Sequence, residues 1–245
     1  LPRITFVTPA KNEEGSIRHT IRCMLASDYP KDCMELIIID DGSTDNTYAE
    51  MTRAAAEAAD SPVRIELVQW KENRGKREGM AEGVERARGD IIIFVDSDSF
   101  VRTDTARELV KYFFDPRVGA VAGHAFVYNA HVNLLTRMQA VRYFVAFHVY
   151  KAAEALFGSV TCCSGCCSAY RRSAVMKILR NWRHQSFLGT RFTYGDDRSL
   201  TNFILHEGYD AVYAPEAISE TVVPSDWRTF LRQQLRWKKS WTRES

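Results

Sequence analysis

The chain has 245 residues, of which 45% are hydrophobic and 26% charged, and its formal net charge is +2 at pH 7. These values are ordinary for a globular protein with a sizeable core, and the length suits one large α/β domain or two small ones. The near-neutral charge argues neither for nor against a nucleic acid ligand. The sequence contains no run of 18 apolar residues and no recognisable signal peptide, which excludes a predicted membrane span within these residues.

The first hundred residues alternate between short apolar runs and helical patterns. Such an order, β-α-β-α-β-α-β, predicts a doubly wound, mostly parallel sheet with flanking helices and a nucleotide-binding role for this half. Three helices are expected: one runs from Ser16 to about Ala26, a second ends at about Ala59, and a third ends near Gly89. The predicted strands are Ile4–Thr8, Leu36–Ile39, Arg64–Val68 and Ile91–Val95.

Acidic residues follow two of these predicted strands. Asp40 and Asp41 come after the second strand, and Asp96 and Asp98 come after the fourth. Open α/β sheets bind ligands at the carboxyl ends of their strands, and residues two apart in a strand point the same way. Paired carboxylates there suit Mg²⁺ or Mn²⁺ bridging to a phosphate. The alternative is an acidic turn that caps the next helix.

The second half of the chain is less regular. Helical patterns are predicted for Asp104–Phe114, for the long aromatic stretch Leu134–Phe157, from Gly195 to about His206, and for a last helix that Asp226 caps. Short strands are predicted at Val118–Gly123, Phe126–Tyr128, Ala211–Tyr213 and Ile218–Val222.

A third acidic pair, Asp196 and Asp197, stands at the start of a predicted helix. Helix starts and strand ends meet at one face of a doubly wound sheet, so the three acidic clusters are expected to line one cleft. Such a cleft needs cations, and the candidates are a divalent metal, Lys76, Arg198 and Arg236. The alternative is that all three clusters serve as caps and turns.

Six cysteines are present, four of them in the segment Cys162, Cys163, Cys166 and Cys167, with Cys23 and Cys33 apart. This spacing is compatible with a metal site or disulfides. A zinc site would need a second ligand pair that the sequence does not show, and a chain with a full core has no need of disulfides. We therefore expect reduced, cytosolic thiols.

An ordered series of motifs resembles the processive inverting glycosyltransferases of family two, among them the hyaluronan synthases, the chitin synthases and the rhizobial nodulation chitooligosaccharide synthases. The motifs are TPAKNEE, IIIDDGSTDNT, NRGKR, FVDSDS, GDDRSLTN and RQQLRW. The resemblance covers essentially the whole chain. It implies a GT-A fold for residues 1–245, with a nucleotide-binding half at 1–100 and an acceptor-binding half at 101–245.

The resemblance also implies a role for particular residues around a UDP-sugar donor. Asp41 would read the uracil ring beside Pro9 and Glu13, and Lys76 would approach the nucleotide or its diphosphate. Asp98, with Asp96 close by, would hold Mn²⁺ or Mg²⁺ on the diphosphate.

For the acceptor side, Asp197 would be the general base, because an inverting transfer needs one carboxylate within about 3 Å of the attacking hydroxyl. Arg236 would stabilise the charge that develops on the leaving UDP. The implied acceptor-binding residues are Gln233, Trp237, Gly165 and Asp196. Trp237 would carry the acceptor sugar at the mouth of a product channel; its alternative is an ordinary core aromatic.

These implications predict an inverting, metal-dependent, processive transferase that uses UDP-N-acetylglucosamine, with or without UDP-glucuronic acid as a second donor, to extend a polysaccharide such as hyaluronan or chitin, with no nucleic acid partner. The full protein is expected to be held by membrane segments outside these residues, at the cytosolic face of the plasma membrane. Val141–Phe157 either packs in the core or lines the acceptor path or a membrane-facing part. Two alternatives stay open: a non-processive transferase acting on a lipid or glycan, and a non-catalytic nucleotide-sugar binding domain.

Overall fold

An eight-stranded mixed sheet is the centre of the computed structural model, which describes residues 1–187, 190–191 and 195–244. Parts of the stretch before GDDRSLTN, at 188–189 and 192–194, and the last residue, Ser245, lie outside the described residues. The strand order is β3-β2-β1-β4-β7-β6-β10-β5, and β8 and β9 form a separate hairpin. The strands are β1 Ile4–Ala10, β2 Met34–Asp40, β3 Arg64–Gln69, β4 Ile91–Phe94, β5 Ser99–Val101, β6 Val118–Val127, β7 Ser168–Arg171, β8 Ser186–Phe187, β9 Thr190–Arg191 and β10 Asp210–Thr221.

Helices cover both faces of this sheet. A π-helical segment, Ala146–Lys151, continues α5 into α6 and lies in the long helix predicted for Leu134–Phe157. The helices are α1 Ile17–Leu25, α2 Thr47–Glu57, α3 Lys76–Arg86, α4 Thr105–Val110, α5 Leu134–Val145, α6 Ala152–Ala155, α7 Arg172–Arg183, α8 Asp196–His206 and α9 Trp227–Glu244.

The parallel half of the sheet confirms the predicted α/β class. Strands β3, β2, β1 and β4 pair in parallel, and β2 is buried along its whole length. Alternate residues of β2 enter two different cores: Ile38 belongs to the core that includes residues of α1, α2 and α4, whereas Ile37 and Ile39 belong to the core that includes residues of α3, α7 and α8. Period-two alternation explains why these runs are apolar throughout, since both faces are covered.

The second half departs from the predicted pattern. The two strands predicted at Val118–Gly123 and Phe126–Tyr128 are one strand, β6, and those predicted at Ala211–Tyr213 and Ile218–Val222 are one strand, β10, with a register shift between Tyr213 and Ile218. Strand β7 was not predicted; it runs antiparallel to both β4 and β6 and so joins the two halves of the chain in one sheet. Within the described ranges, none of the helices has the length and apolar character needed to cross a membrane.

Candidate functional site

The carboxyl end of β4 brings a carboxylate and an ammonium group together. Asp96 follows β4, and its backbone N–H donates to the carbonyl of Gly165 at 2.9 Å. Lys76, the first residue of α3, donates from Nζ to Asp96 Oδ1 at 2.6 Å. The same Nζ lies 3.7 Å from Oδ1 of Asp197, in the first turn of α8. Two of the three predicted acidic clusters therefore meet around one lysine.

Asp197 is held by a backbone donor rather than by a side chain. Gly165 donates its N–H to Asp197 Oδ2 at 2.9 Å. The other oxygen, Oδ1, is buried and accepts no hydrogen bond from the residues that the structure describes. Burial raises the pKa of Asp197, with Lys76 acting in the opposite sense and Asp96 adding to the rise. An ionised carboxylate with a free oxygen and a raised proton affinity is suited to accept a proton.

Gly165 lies where no side chain fits. A Cβ built on it would be 2.7 Å from Lys76 Nζ, 2.8 Å from Asp96 Oδ1 and 3.0 Å from Asp197 Oδ1. Both polar backbone atoms of this residue are used, since its carbonyl accepts from Asp96 and its N–H donates to Asp197. The glycine therefore closes the site between the end of β4 and the start of α8, and its predicted contact with the acceptor stays a prediction.

Asp98 and Glu13 give the site excess negative charge. Burial raises the pKa of Asp98 to about 7, with further contributions from the nearby carboxylates of Asp96 and Glu13. The pKa of Glu13 is raised as well, mainly by burial and also by Asp96, although Ser16 Oγ donates to its carboxylate at 2.7 Å. Carboxylates crowded in this way fit a divalent cation.

A divalent cation here would be held partly by the protein and partly by substrate phosphates and waters, not by protein ligands alone. Across residues 1–187, 190–191 and 195–244, no group of three or more His, Cys, Asp or Glu side chains is placed to hold a metal ion alone. Mg²⁺ and Mn²⁺ are commonly held by one or two carboxylates, with substrate phosphates and waters as the other ligands. Asp98 and Asp96 match that pattern, so the residues present are compatible with such an ion.

Asp41 organises the loop that presents Lys76. Its two carboxylate oxygens accept the backbone N–H groups of Arg74 at 2.6 Å and Gly75 at 2.9 Å. Gly75 has a φ of 97°, a left-handed conformation that glycine adopts without strain, and α3 begins at the next residue. Burial raises the pKa of Asp41 despite these two donors. Asp41 therefore lies in the predicted nucleotide region but has a structural role there as well.

Pro9 lies beneath the same helix. A Cβ built on Gly79 would come within 2.8 Å of Pro9 Cβ, which shows how closely α3 packs on the end of β1. Pro9, Asp41 and Lys76 thus border one surface at the carboxyl edge of the sheet.

Asp196 occupies a different environment from its neighbour Asp197. It is buried, and its Oδ1 accepts from Arg77 Nε at 2.8 Å. The buried guanidinium of Arg77 also contacts Gln185 Oε1 at 3.2 Å and the carbonyl of Trp182 at 3.4 Å. The carboxylate that was predicted to contact the acceptor is therefore engaged by Arg77, because the two helix starts pack against each other.

Helix α9 carries the remaining predicted residues. Gln233 Oε1 is buried and has no hydrogen-bond donor in the described part of the chain. The Arg142 guanidinium lies 5.8 Å from the centre of the Trp237 ring and donates to Gln234, so α5 and α9 are neighbours. Trp237 is half-buried and Arg236 is exposed. These positions leave the proposed contacts with acceptor and UDP as predictions.

Arg198, proposed as a phosphate-binding cation, contacts helix α9, and its binding of phosphate stays a prediction. Its guanidinium is 4.6 Å from the centre of the Trp241 ring, where α8 meets α9. The sequence gives no indication of this pairing, because residues 198 and 241 are far apart in the chain.

The six cysteines are free thiols in this structure. Burial raises the pKa of Cys163 and of Cys166 to about 12, which leaves both thiols protonated near neutral pH. Their environment therefore indicates a packing role and no nucleophilic one.

Sequence reasoning missed two features of the site. One is Arg77, which the NRGKR motif places directly after Lys76 and which pairs with the residue directly before Asp197. The sequence does contain two adjacent cations, Lys76 and Arg77, and two adjacent acids, Asp196 and Asp197, and this match could have predicted the second ion pair. The other is the double use of the Gly165 backbone, for which the sequence carries no signal.

The comparisons with known proteins bear on the family of this chain. Residues 5–179 match the family model described as glycosyl transferase family 2. An N-acetylglucosaminyltransferase from Azorhizobium caulinodans is 36% identical over 245 residues, covering 100% of this chain and 61% of that protein. A hyaluronan synthase from Streptococcus pyogenes is 37% identical, covering 99% of this chain and 58% of that protein. The chain thus spans about three fifths of the length of these relatives.

Solved structures show the same fold. A mannosyltransferase from Pyrobaculum calidifontis, in complex with GDP-mannose and Mn²⁺, superposes with a TM-score of 0.74 at 24% identity, over 99% of this chain and 63% of that one. TarS residues 1–349 from S. aureus, in complex with UDP-GlcNAc, has a TM-score of 0.64 at 14% identity, over 93% of this chain and 60% of that one. These likenesses support the predicted GT-A arrangement of the sheet and its helices.

Proposed function

This chain belongs to glycosyl transferase family 2, and from that premise we propose that it is the catalytic part of an inverting transferase that moves N-acetylglucosamine from its UDP donor onto a growing polysaccharide. The observation that carries the proposal is the group formed by Lys76, Asp96, Gly165 and Asp197. It places a carboxylate able to accept a proton beside a cation and a second carboxylate at the carboxyl edge of the sheet. The relatives named N-acetylglucosaminyltransferase and hyaluronan synthase support the choice of sugar.

The donor would lie across the carboxyl ends of β1, β2 and β4. Asp41 and Pro9 border the region that we assign to the uracil ring, with Glu13 next to Asp98 at the diphosphate. Asp98 and Asp96 would hold Mn²⁺ or Mg²⁺, which supplies positive charge to the diphosphate when bound. Lys76 stays protonated, since Asp197 and Asp96 outweigh the burial that would otherwise lower its pKa, and so it offers a permanent cation to the leaving group.

The proton transfer is assigned to Asp197. An acceptor hydroxyl that attacks the anomeric carbon loses its proton as the bond to UDP breaks, and a single displacement inverts that carbon. Asp197 Oδ1 is the free oxygen, while Gly165 fixes the other oxygen and so sets the direction of the carboxylate. No covalent intermediate is needed, which agrees with the protonated state of the buried cysteines.

Helix α9 would supply the acceptor side. The unsatisfied Gln233 Oε1 needs a donor, and a sugar hydroxyl is one. Trp237 would present a ring face to the acceptor sugar, and Arg236, exposed on the same helix, would reach the diphosphate after the donor binds. These contacts would keep the product bound between additions, and the whole protein would act at the cytosolic face of a membrane. UDP-glucuronic acid as a second donor would make the product hyaluronan.

Titration calorimetry tests this proposal. The protein is titrated with UDP-N-acetylglucosamine, UDP-glucuronic acid and UDP, each with and without Mn²⁺. We expect metal-dependent binding of UDP-N-acetylglucosamine and of UDP; binding of UDP-glucuronic acid as well would indicate a hyaluronan-type enzyme, and its absence a chitin-type enzyme. Failure of all three to bind would overturn the assignment.

Product length separates the remaining alternatives. Incubation with labelled donor is expected to yield long chains, whereas transfer of one sugar would identify a non-processive transferase. Donor binding without turnover in the full-length protein would identify a binding domain.

A further inference from the structure

Two helix starts meet through two adjacent ion pairs. Lys76 and Arg77 open α3, and Asp196 and Asp197 open α8. Lys76 lies in the candidate site with Asp197. Arg77 and Asp196 form a separate ion pair beneath that site, with Nε and Oδ1 2.8 Å apart. Their side chains are exposed by only 6% and 10%. The Lys76 and Asp197 side chains are partly exposed, by 38% and 27%, whereas the second pair is almost withdrawn from solvent.

The Arg77 guanidinium is fixed on several sides. It lies over the ring of Trp182 at 5.4 Å, and Gln185 Oε1, which it contacts at 3.2 Å, also accepts from Ser199 Oγ at 2.6 Å. Trp182 belongs to α7, and Ser199 belongs to α8 one turn after Asp196. Arg77 thus ties the start of α3 to both α7 and α8.

We propose that Arg77 and Asp196 are positioning residues, which set the place of Asp197 relative to Lys76 and Gly165 without touching the substrate. Asp196 precedes the proposed base directly, so anchoring the Asp196 carboxylate on Arg77 restrains the backbone that carries Asp197. A displacement of about 1 Å at a reacting group lowers a rate about 100-fold, whereas helix packing tolerates such a shift.

An ion pair is a poor choice if only stability is needed. Removing two charges from water costs several kcal/mol, and well-packed apolar residues of similar volume often stabilise a fold equally well or better. The ion pair instead fixes the relative orientation of the two helix starts, because the hydrogen bond from Arg77 Nε to Asp196 Oδ1 is directional, whereas apolar contacts are not. The identity of Asp197 as the base rests on the proposed function, whereas the contacts of Arg77 and Asp196 do not depend on it.

The test uses Asp196→Asn, the apolar double variant Arg77→Met/Asp196→Leu, and a matched control. The control is Glu35→Gln, which changes a buried carboxylate paired with Arg64 at 2.6 Å at the opposite edge of the sheet. Transfer of N-acetylglucosamine and binding of UDP with Mn²⁺ are measured for each, together with thermal unfolding. We expect Asp196→Asn and the double variant to lower kcat about 100-fold while the Kd for UDP changes less than about threefold, and Glu35→Gln to keep the wild-type kcat.

The double variant decides between positioning and packing. If it unfolds near the wild-type temperature yet transfers sugar slowly, the ion pair has the proposed role; transfer at the wild-type rate would overturn that role. Crystal structures of the wild-type protein and Asp196→Asn give an answer independent of turnover. An unchanged distance from Gly165 N to Asp197 Oδ2, 2.9 Å here, would contradict the inference, and a displaced Asp197 would support it. A wild-type protein that transfers no sugar would overturn the proposed function alone.

Discussion

The two edges of the parallel sheet treat their carboxylates in opposite ways. At the amino-terminal edge, Glu35 at the start of β2 accepts from Thr5 Oγ1 at 2.6 Å, from the backbone N–H of Arg88 at 2.6 Å and from Arg64 at 2.6 Å. Burial alone would raise the pKa of Glu35, but these three donors together hold it below the ordinary value.

At the carboxyl-terminal edge, Asp98 has like charges for neighbours. Burial, Asp96 and Glu13 raise its pKa to about 7. The contrast shows that burial raises the pKa of a carboxylate in this fold unless enough donors are aimed at it: the three donors at Glu35 outweigh burial, whereas the two at Asp41 do not. A satisfied carboxylate such as Glu35 supports the fold, and an uncompensated one such as Asp98 is prepared for a ligand. The following predictions test this division.

The largest effect is expected for Asp197→Asn. Asparagine keeps the shape and can still accept the Gly165 N–H, but its side chain cannot take a proton. We expect kcat to fall about 1,000-fold, within the range for loss of a general base, while the Kd for UDP with Mn²⁺ stays near wild type. Labelled-donor transfer and calorimetry check both numbers. A variant with more than about a tenth of the wild-type kcat would assign the base to another residue.

The next effect concerns space rather than charge. Gly165→Ala adds a methyl group 2.7 Å from Lys76 Nζ and 2.8 Å from Asp96 Oδ1. We expect kcat/KM to fall about 100-fold, since both groups must move from their present positions. The matched control is Gly15→Ala, because a Cβ there meets nothing within 4 Å. Equal activities of the two variants would show that the site tolerates the added volume.

At the opposite edge, Glu35→Gln is expected to lower stability and leave catalysis intact. The amide still accepts hydrogen bonds but no longer carries the charge that pairs with Arg64, at a cost of about 2 kcal/mol. Because the folded pKa of Glu35 is depressed, its stabilisation is present above the ordinary value of 4.5 and is lost as the pH falls through the folded pKa. Urea unfolding at pH 7 and at pH 3 checks this; an equal deficit at both pH values would contradict it.

The smallest expected effect is a gain in stability, opposite in sign to the loss expected for Glu35→Gln. In the absence of metal, Asp98→Asn should stabilise the fold by about 1 kcal/mol at pH 8, after allowance for partial exposure. The folded pKa near 7 lies above the ordinary 3.8, so stability contributed by the protonated form is lost as the pH rises through this window. At pH 3.5 the variant and wild type should unfold alike. Thermal unfolding in EDTA at both pH values tests whether the substitution raises the stability. Destabilisation at pH 8 would show that the charge of Asp98 is compensated in the fold.

Much of the parallel half could be predicted from the sequence. Continuous apolar runs such as Ile91–Phe94 leave little choice but a strand covered on both faces, and the acids after β2 and β4 follow from the edge rule. The meeting of Lys76 with Asp96 and Asp197 agrees with the predicted cleft. The GT-A fold came from the resemblance, and the structural neighbours support it.

The second half was harder for identifiable reasons. Strand β7 is four residues long and follows a cysteine-rich turn, so the sequence shows no apolar run that would indicate a strand there. Its antiparallel pairing depends on β4 and β6, which are distant in the chain. Strand β5 has three residues and pairs with the end of β10. The engagement of Asp196 by Arg77 could not be predicted either, because an acid pair at a helix start does not tell which member faces the ligand.

The pairing of β5 with β10 bears on the order in which the protein acquires its site. The backbone carbonyl of Asp98 accepts the N–H of Val222 at 3.2 Å, and Ser99 Oγ donates to Thr221 Oγ1 at 3.1 Å, across more than 120 positions of sequence. Contacts between such distant residues form late, after the loop-closure entropy has been overcome. During synthesis, β1 to β4 emerge first and have the local pattern to assemble early, but the strand that anchors Asp98 must wait for β10. A newly made chain is therefore expected to acquire the parallel half of its sheet before Asp98, the proposed metal ligand, is fixed in place.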